Sequence, residues 1–171
     1  MITEDPIIAY FDKLAKANRL IAHDQDGVPS FFEIEDPEEL SSFDDALRNA
    51  TGSTVMLIIA GEGELNDNGS ANYTDGLEYQ IYVLQKLHDD TTPSEIRAVC
   101  KDAIKAIIFR TRKDASASKI VPGKFITFPV NNLPLRKVGP MNLNWYGYTA
   151  MLSFTCPFGW KVDSGTWTDI P

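Results

Sequence analysis

The stretch 92-TPSEIRAVCKDAIKAIIFRTR-112 decides the fold. Thr92-Pro93-Ser94-Glu95 is a capping box with proline at the first helical position. The threonine hydroxyl can accept from the backbone three residues on, while Glu95 reaches back. Ile96, Val99, Cys100, Ala103, Ile104, Ile107 and Ile108 then recur at the i, i+3, i+4, i+7 spacing that gathers them on one side of a helix. Arg110, Arg112 and Lys113 near the far end complement the helix dipole. A helix with a single apolar stripe lies on a sheet, and residues 144–158 read as a long, half-buried aromatic strand. Tyr146, Tyr148, Ala150, Leu152, Phe154 and Cys156 alternate onto one face of a strand. Trp145, Thr149, Met151, Ser153 and Thr155 alternate onto the other.

Working outward, Asp5-Pro6 opens an N-terminal helix whose apolar residues Ile7, Ile8, Phe11, Leu14, Ala15, Leu20 and Ile21 carry it to about His23. A short strand is expected over 30–35. Asp36-Pro37 repeats the capping device and predicts a short helix over 37–49, packed at an edge. The apolar run 54–60 reads as a strand buried on both faces. A polar loop follows over 62–72, then a strand over 77–86, which makes an antiparallel pair with its predecessor. Residues 114–118 read as a small-residue linker, 124–129 as a strand, and 131–140 as a series of turns around Asn131-Asn132, Pro134 and Gly139-Pro140. The expected class is α+β: a single antiparallel or mixed β-sheet with two long amphipathic helices packed on one face. The opposite face is only partly apolar and calls for solvent or a partner subunit. The whole of 1–171 reads as one domain, with 159–171 an extended C-terminal tail.

With 171 residues the chain can build a sizeable core without metal or disulfides. Its formal charge is −8, and much of the acid sits early, at Glu33, Glu35, Asp36, Glu38, Glu39, Asp44 and Asp45. Gripping nucleic acid requires cations to neutralise phosphates, so sequence-specific nucleic-acid binding is not expected. The acid serves solubility, or makes a surface past which DNA slides without sticking. Cys100 and Cys156 read as small core residues whose separation the sequence leaves open. The acidic start lacks the features of a signal peptide, and no segment approaches a membrane span, so a cytoplasmic location is expected.

Candidate chemistry is thin. Glu64-x-Asn66-x-Asn68-Gly69 with Asp75 has the offsets of a calcium loop, but the wrong first and last ligands and strands for flanks. A polar loop with an Asn-Gly turn accounts for the same residues. His23 and His88 stand outside any metal spacing and read as surface caps. The pairs Glu62/Glu64 and Asp89/Asp90 read as solvated acids. Gly61-Glu62-Gly63 lacks the remainder of a phosphate loop. No catalytic residue, metal or cofactor is expected. The aromatic residues of the C-terminal third are more informative. Trp145, Trp160 and Trp167 serve either core and tail docking or an oligomer interface, with Arg136 and Lys137 as basic neighbours at such an interface.

The order of a capped helix, a strand pair with a long loop, a second helix and a closing strand containing Tyr146-Gly147-Tyr148 and Leu152-Ser153-Phe154 resembles the tail terminators and head–tail joining proteins of long-tailed phages and prophages. The resemblance covers about 5–158 as element order and carries no diagnostic motif. It implies a non-catalytic α+β subunit that forms a ring, commonly a hexamer, and meets other tail or neck proteins. It also implies residence in the host cytoplasm during assembly and in the virion afterwards. Two other classes stay open: a small-ligand or protein-binding module whose pocket the aromatic strand lines, and an enzyme using the acidic loops with His88.

Overall fold

A computed structural model describes residues 4–24, 26–35, 38, 40–67, 69, 73–142 and 144–158. Three helices and five strands follow in the order α1 (Glu4–Ala17), β1 (Phe31–Glu33), α2 (Leu40–Asn49), β2 (Thr54–Asp67), β3 (Tyr73–Lys86), α3 (Pro93–Ser116), β4 (Leu135–Met141) and β5 (Trp145–Phe158). The strands form one mixed sheet in the order β1-β2-β3-β5-β4. β1 runs parallel to β2, and every other neighbouring pair is antiparallel.

The two-residue period of the strands sorts the core into two clusters. Met56, Ile58, Tyr79, Ile81, Val83, Tyr148, Leu152 and Phe154 meet α1 and α3 on one face. Helix α3 packs on the mixed sheet of an α+β fold, as the sequence predicts, and α1 contributes Ile7, Phe11 and Leu14 to the same cluster. Phe154 anchors the layer, stacked on Phe128 at 5.0 Å and edge-on to Phe11 at 6.1 Å. On the opposite face Val55, Leu57, Ile59, Leu84 and Trp145 pack with Ala46 and Leu47 of α2. Helix α2 therefore covers one end of the second face instead of lying at an edge.

The capping box of α3 forms as read: the Thr92 hydroxyl accepts from the Glu95 amide, and the Glu95 carboxylate accepts from the Thr92 amide at 2.8 Å. The helix runs on through Ser116, so the expected linker is its last turn. The reason is Asp114, a buried carboxylate that accepts from the Tyr10 hydroxyl at 3.0 Å and from Arg110 Nε at 2.7 Å. Helix α1 ends earlier than its apolar spacing suggests. The Asn18 side chain accepts from the amides of Leu20 and Ile21, an alternative to helical bonding that turns the chain away. Ile21 still reaches the core.

Three segment expectations change. The segment 124–129 meets β5 only at an isolated bridge between Thr127 and Thr155. Ile126 and Phe128 are buried as alternation predicts, but Arg112 donates to the Phe128 carbonyl at 2.6 Å, so that group joins no ladder. In its place the basic turn-rich segment forms β4, paired with β5 from Leu135 opposite Ala150 to Met141 opposite Trp145. The expected loop 62–72 is largely strand as well, since β2 and β3 pair out to Asp67 opposite Tyr73. Close strand approach in the middle of the sheet needs Gly147, where a β-carbon would land on the Val83 carbonyl oxygen.

Candidate interaction surface

β1 pairs only with Met56, Leu57 and Ile58. From 59 to 67 the outer edge of β2 has no strand neighbour among the described residues. The arm begins at a register shift between Ala60 and Gly63 and stays exposed to Asp67. An open strand edge presents unpaired amides and carbonyls, a template for another chain unless charge or a bulge blunts it. This edge has both a bulge and the acids Glu62, Glu64 and Asp67. Among them stands Leu65, 68% exposed.

On the face opposite α1 and α3, beyond α2, Glu64 lies beside Gly76, which in turn lies beside Thr155. With Glu62, Glu78 and Ser153 they line an open groove of about 410 Å³. Its wall carries carboxylates and hydroxyls and no basic side chain, so the groove repels anions.

The other edge of the sheet has the opposite sign. Arg136 and Lys137 are exposed on β4, Arg136 opposite Thr149 and Lys137 opposite Tyr148. Beside them Ile108, Phe109, Val130, Leu133 and Leu135 line an apolar notch of about 120 Å³, with Lys105 at its rim. Phe109 is 67% exposed although it sits in a helix whose neighbouring stripe is buried. Three arginines of α3 are committed within the subunit. Arg97 donates to the Gly139 carbonyl at 3.2 Å and lies over the Tyr146 ring, Arg110 binds Asp114, and Arg112 binds the Phe128 carbonyl. Arg136 and Lys137 are thus the basic pair that the β4 edge itself offers.

Of the sequence candidates, Arg136 and Lys137 share this edge. Trp145 does not reach a surface: it is 2% exposed, enclosed at the start of β5 with Val55, Leu57 and Leu84. Trp160 and Trp167 lie outside the described residues, as does the expected tail 159–171. The calcium pattern comes apart on the ladder. Glu64 and Asn66 stand opposite Gly76 and Thr74 on one face, and Asp75 stands opposite Leu65 on the other. Asn68 lies outside the described residues, among which no group of metal-ligating side chains is found.

His23 is not a surface cap. It is buried, and its Nδ1 accepts from the Ser30 amide at 3.0 Å, tying the α1–β1 connection together. His88 is exposed in the turn before α3. Cys100 and Cys156 are buried free thiols. Cys100 lies beside the Tyr146 carbonyl near one end of β5. From there to Cys156 is 156 − 146 = 10 strand residues, roughly 34 Å and beyond disulfide reach.

Sequence reading missed Leu65 and Phe109. The available signals were an isolated leucine among acids, and a phenylalanine just past an apolar stripe that Ile107 and Ile108 already complete. No model of a known protein family matches the sequence, and no characterised protein is detectably similar to it.

Proposed function

We propose that the chain is a non-catalytic structural subunit of a phage or prophage tail or neck, of the tail-terminator kind, forming a ring with copies of itself. One observation carries this reading: among the described residues the outer edge of β2 from 59 to 67 has no strand neighbour, in a sheet whose other edge is basic. Chains that work alone tend to shorten, cover or blunt such edges; this one is bulged and acidic yet neither shortened nor covered among the described residues, and its acids suit a basic neighbouring edge. A heterologous contact between two unlike edges generates a closed ring when the rotation between subunits closes. The net charge of −8 supports a role beside DNA that passes without being gripped.

The reading as a small-ligand binding module has less support. The apolar notch of about 120 Å³ is smaller than the roughly 300–1,000 Å³ of ordinary ligand pockets. The larger groove is open and acidic. Among the described residues no helix is long and apolar enough to cross a bilayer.

Labelling tests the function. Particles produced on induction of the genome that encodes the chain are treated with an antibody against it and imaged by electron microscopy. Label at one end of the tail tube is expected. Chain found only free in the lysate, with intact unlabelled particles beside it, would contradict the assignment.

A further inference from the structure

We infer that the partner of the open β2 edge is the β4 edge of a second copy of this chain, with Leu65 of one copy seated in the notch around Phe109 of the next. The inference rests on the proposed ring-forming role and names the two surfaces that make the contact. Two features match. The arm presents a single exposed apolar side chain, and the opposite edge presents a small apolar notch lined by Ile108, Val130 and Leu135. On the α3 face Asp67 neighbours the leucine while Lys105 and Lys137 neighbour the notch, and on the opposite face of the same two edges Glu62 and Glu64 are matched by Arg136. An apolar centre inside a complementary charged rim is the composition of a specific interface.

Direction also agrees. β2 is antiparallel to β3, β3 to β5 and β5 to β4, so β2 and β4 run in opposite senses. A neighbour placed sideways with its sheet facing the same way brings its β4 antiparallel to this β2. Leu65 stands opposite Asp75, which stands opposite Cys156, on the face that carries α3, and the notch lies between α3 and β4. Both halves therefore lie on the same side of the sheet. Leu65 is level with Cys156 and Leu135 with Ala150, an offset of 156 − 150 = 6 residues along β5. At about 3.4 Å per residue this staggers neighbouring copies by roughly 20 Å and tilts the strands against the ring axis. The two surfaces differ, so the contact is head-to-tail and each copy uses both.

Complementation tests this. Leu65→Asp ruins the knob and keeps the notch, and Phe109→Asp ruins the notch and keeps the knob. Both side chains are solvent-exposed, and circular dichroism checks that each variant is folded. By light scattering the wild type is expected above twice the mass of the 19.0 kDa chain, and each variant alone at the single-chain mass. An equimolar mixture is expected to form a dimer that grows no further, because one intact contact remains. Each substitution should weaken self-association at least roughly tenfold, and added salt should weaken the wild-type contact. Variants that keep the wild-type mass would overturn the inference and leave a ring built through another surface. A wild type at single-chain mass, or a mixture that stays at single-chain mass, would overturn it too. The particle-labelling result is independent of all of these outcomes.

Discussion

Asp114 shows what a single side chain contributes here. Its carboxylate is buried where α1 meets the end of α3, and it satisfies both the Tyr10 hydroxyl and the Arg110 guanidinium. Asp114→Ala takes the carboxylate from the buried Tyr10 hydroxyl, while the half-exposed Arg110 turns to water, and should cost about 2 kcal/mol, whereas Tyr10→Phe should cost about 1 kcal/mol. Urea titration checks both. Burial holds the Tyr10 phenol above its ordinary value of 10.0, with the Asp114 charge adding to the shift, and burial alone pushes the Cys100 thiol up to about 12 from 9.0. Both groups are neutral when protonated, and folding raises both values. Their contribution to stability is therefore complete below the unfolded-state values and is lost as pH climbs past 9 for Cys100 and past 10 for Tyr10. A Cys100→Ala variant should show a shallower fall in stability between pH 9 and 12 than the parent; an unchanged slope would exclude the thiol as a contributor. At Gly147 the added methyl of Gly147→Ala meets the Val83 carbonyl, and about 2 kcal/mol of destabilisation is expected from overpacking a central strand pair. These residue environments were only partly legible in the sequence. Alternation placed Trp145 on the correct face, but no local pattern could show that α2 arrives to cover it. His23 lies beside acids in sequence and so reads as surface, whereas its Nδ1 accepts from a backbone amide seven residues on and its Nε2 lies 3.4 Å from Asp12 of α1.

Helix α3 was the most legible element because all its instructions are local: a capping box, a proline at the first position and an unbroken apolar stripe. Thr92→Ala should destabilise by about 1 kcal/mol in thermal unfolding, the ordinary cost of a lost cap. Hydrogen bonds from the Thr92 side chain and backbone hold the Glu95 carboxyl below its ordinary value of 4.5. A depressed carboxyl contributes above its unfolded-state value and loses that contribution as pH falls through the folded one. The stability difference between Glu95→Gln and the parent should thus be present at neutral pH and vanish in acid; a difference that persists at pH 2 would contradict the capping role. The strands were harder to read wherever a partner decides the outcome. β4 contains Pro140 and a positive-φ glycine, Gly139, which punctuate like a loop, yet the long β5 edge recruits the segment and Arg97 of α3 holds the Gly139 carbonyl. The segment 124–129 has the better strand composition, but an arginine takes one of its carbonyls and the ladder stops at a single bridge. Polar residues 62–67 look like a loop because one wall of their surroundings is solvent, and only pairing with β3 reveals the arm.

At the scale of the molecule the chain is asymmetric. One edge of its sheet carries acids and an exposed leucine, the other carries bases beside a notch that the exposed Phe109 of α3 lines, and the second sheet face has its buried apolar cluster where α2 packs. None of this could be read from the net charge, which averages the two edges into a uniformly acidic protein. Unlike edges join head to tail, and head-to-tail contacts close into rings or grow without limit. The expectation that another molecule finishes part of the sheet therefore moves from the second face, partly covered by α2, to the strand edges. Light scattering of the purified full chain across a concentration series reads this directly. The account predicts a discrete species of three or more copies of the 19.0 kDa chain, unchanged in mass on further concentration as a closed ring requires, whereas a particle of single-chain mass up to about millimolar concentration, where even weak contacts are populated, would contradict it.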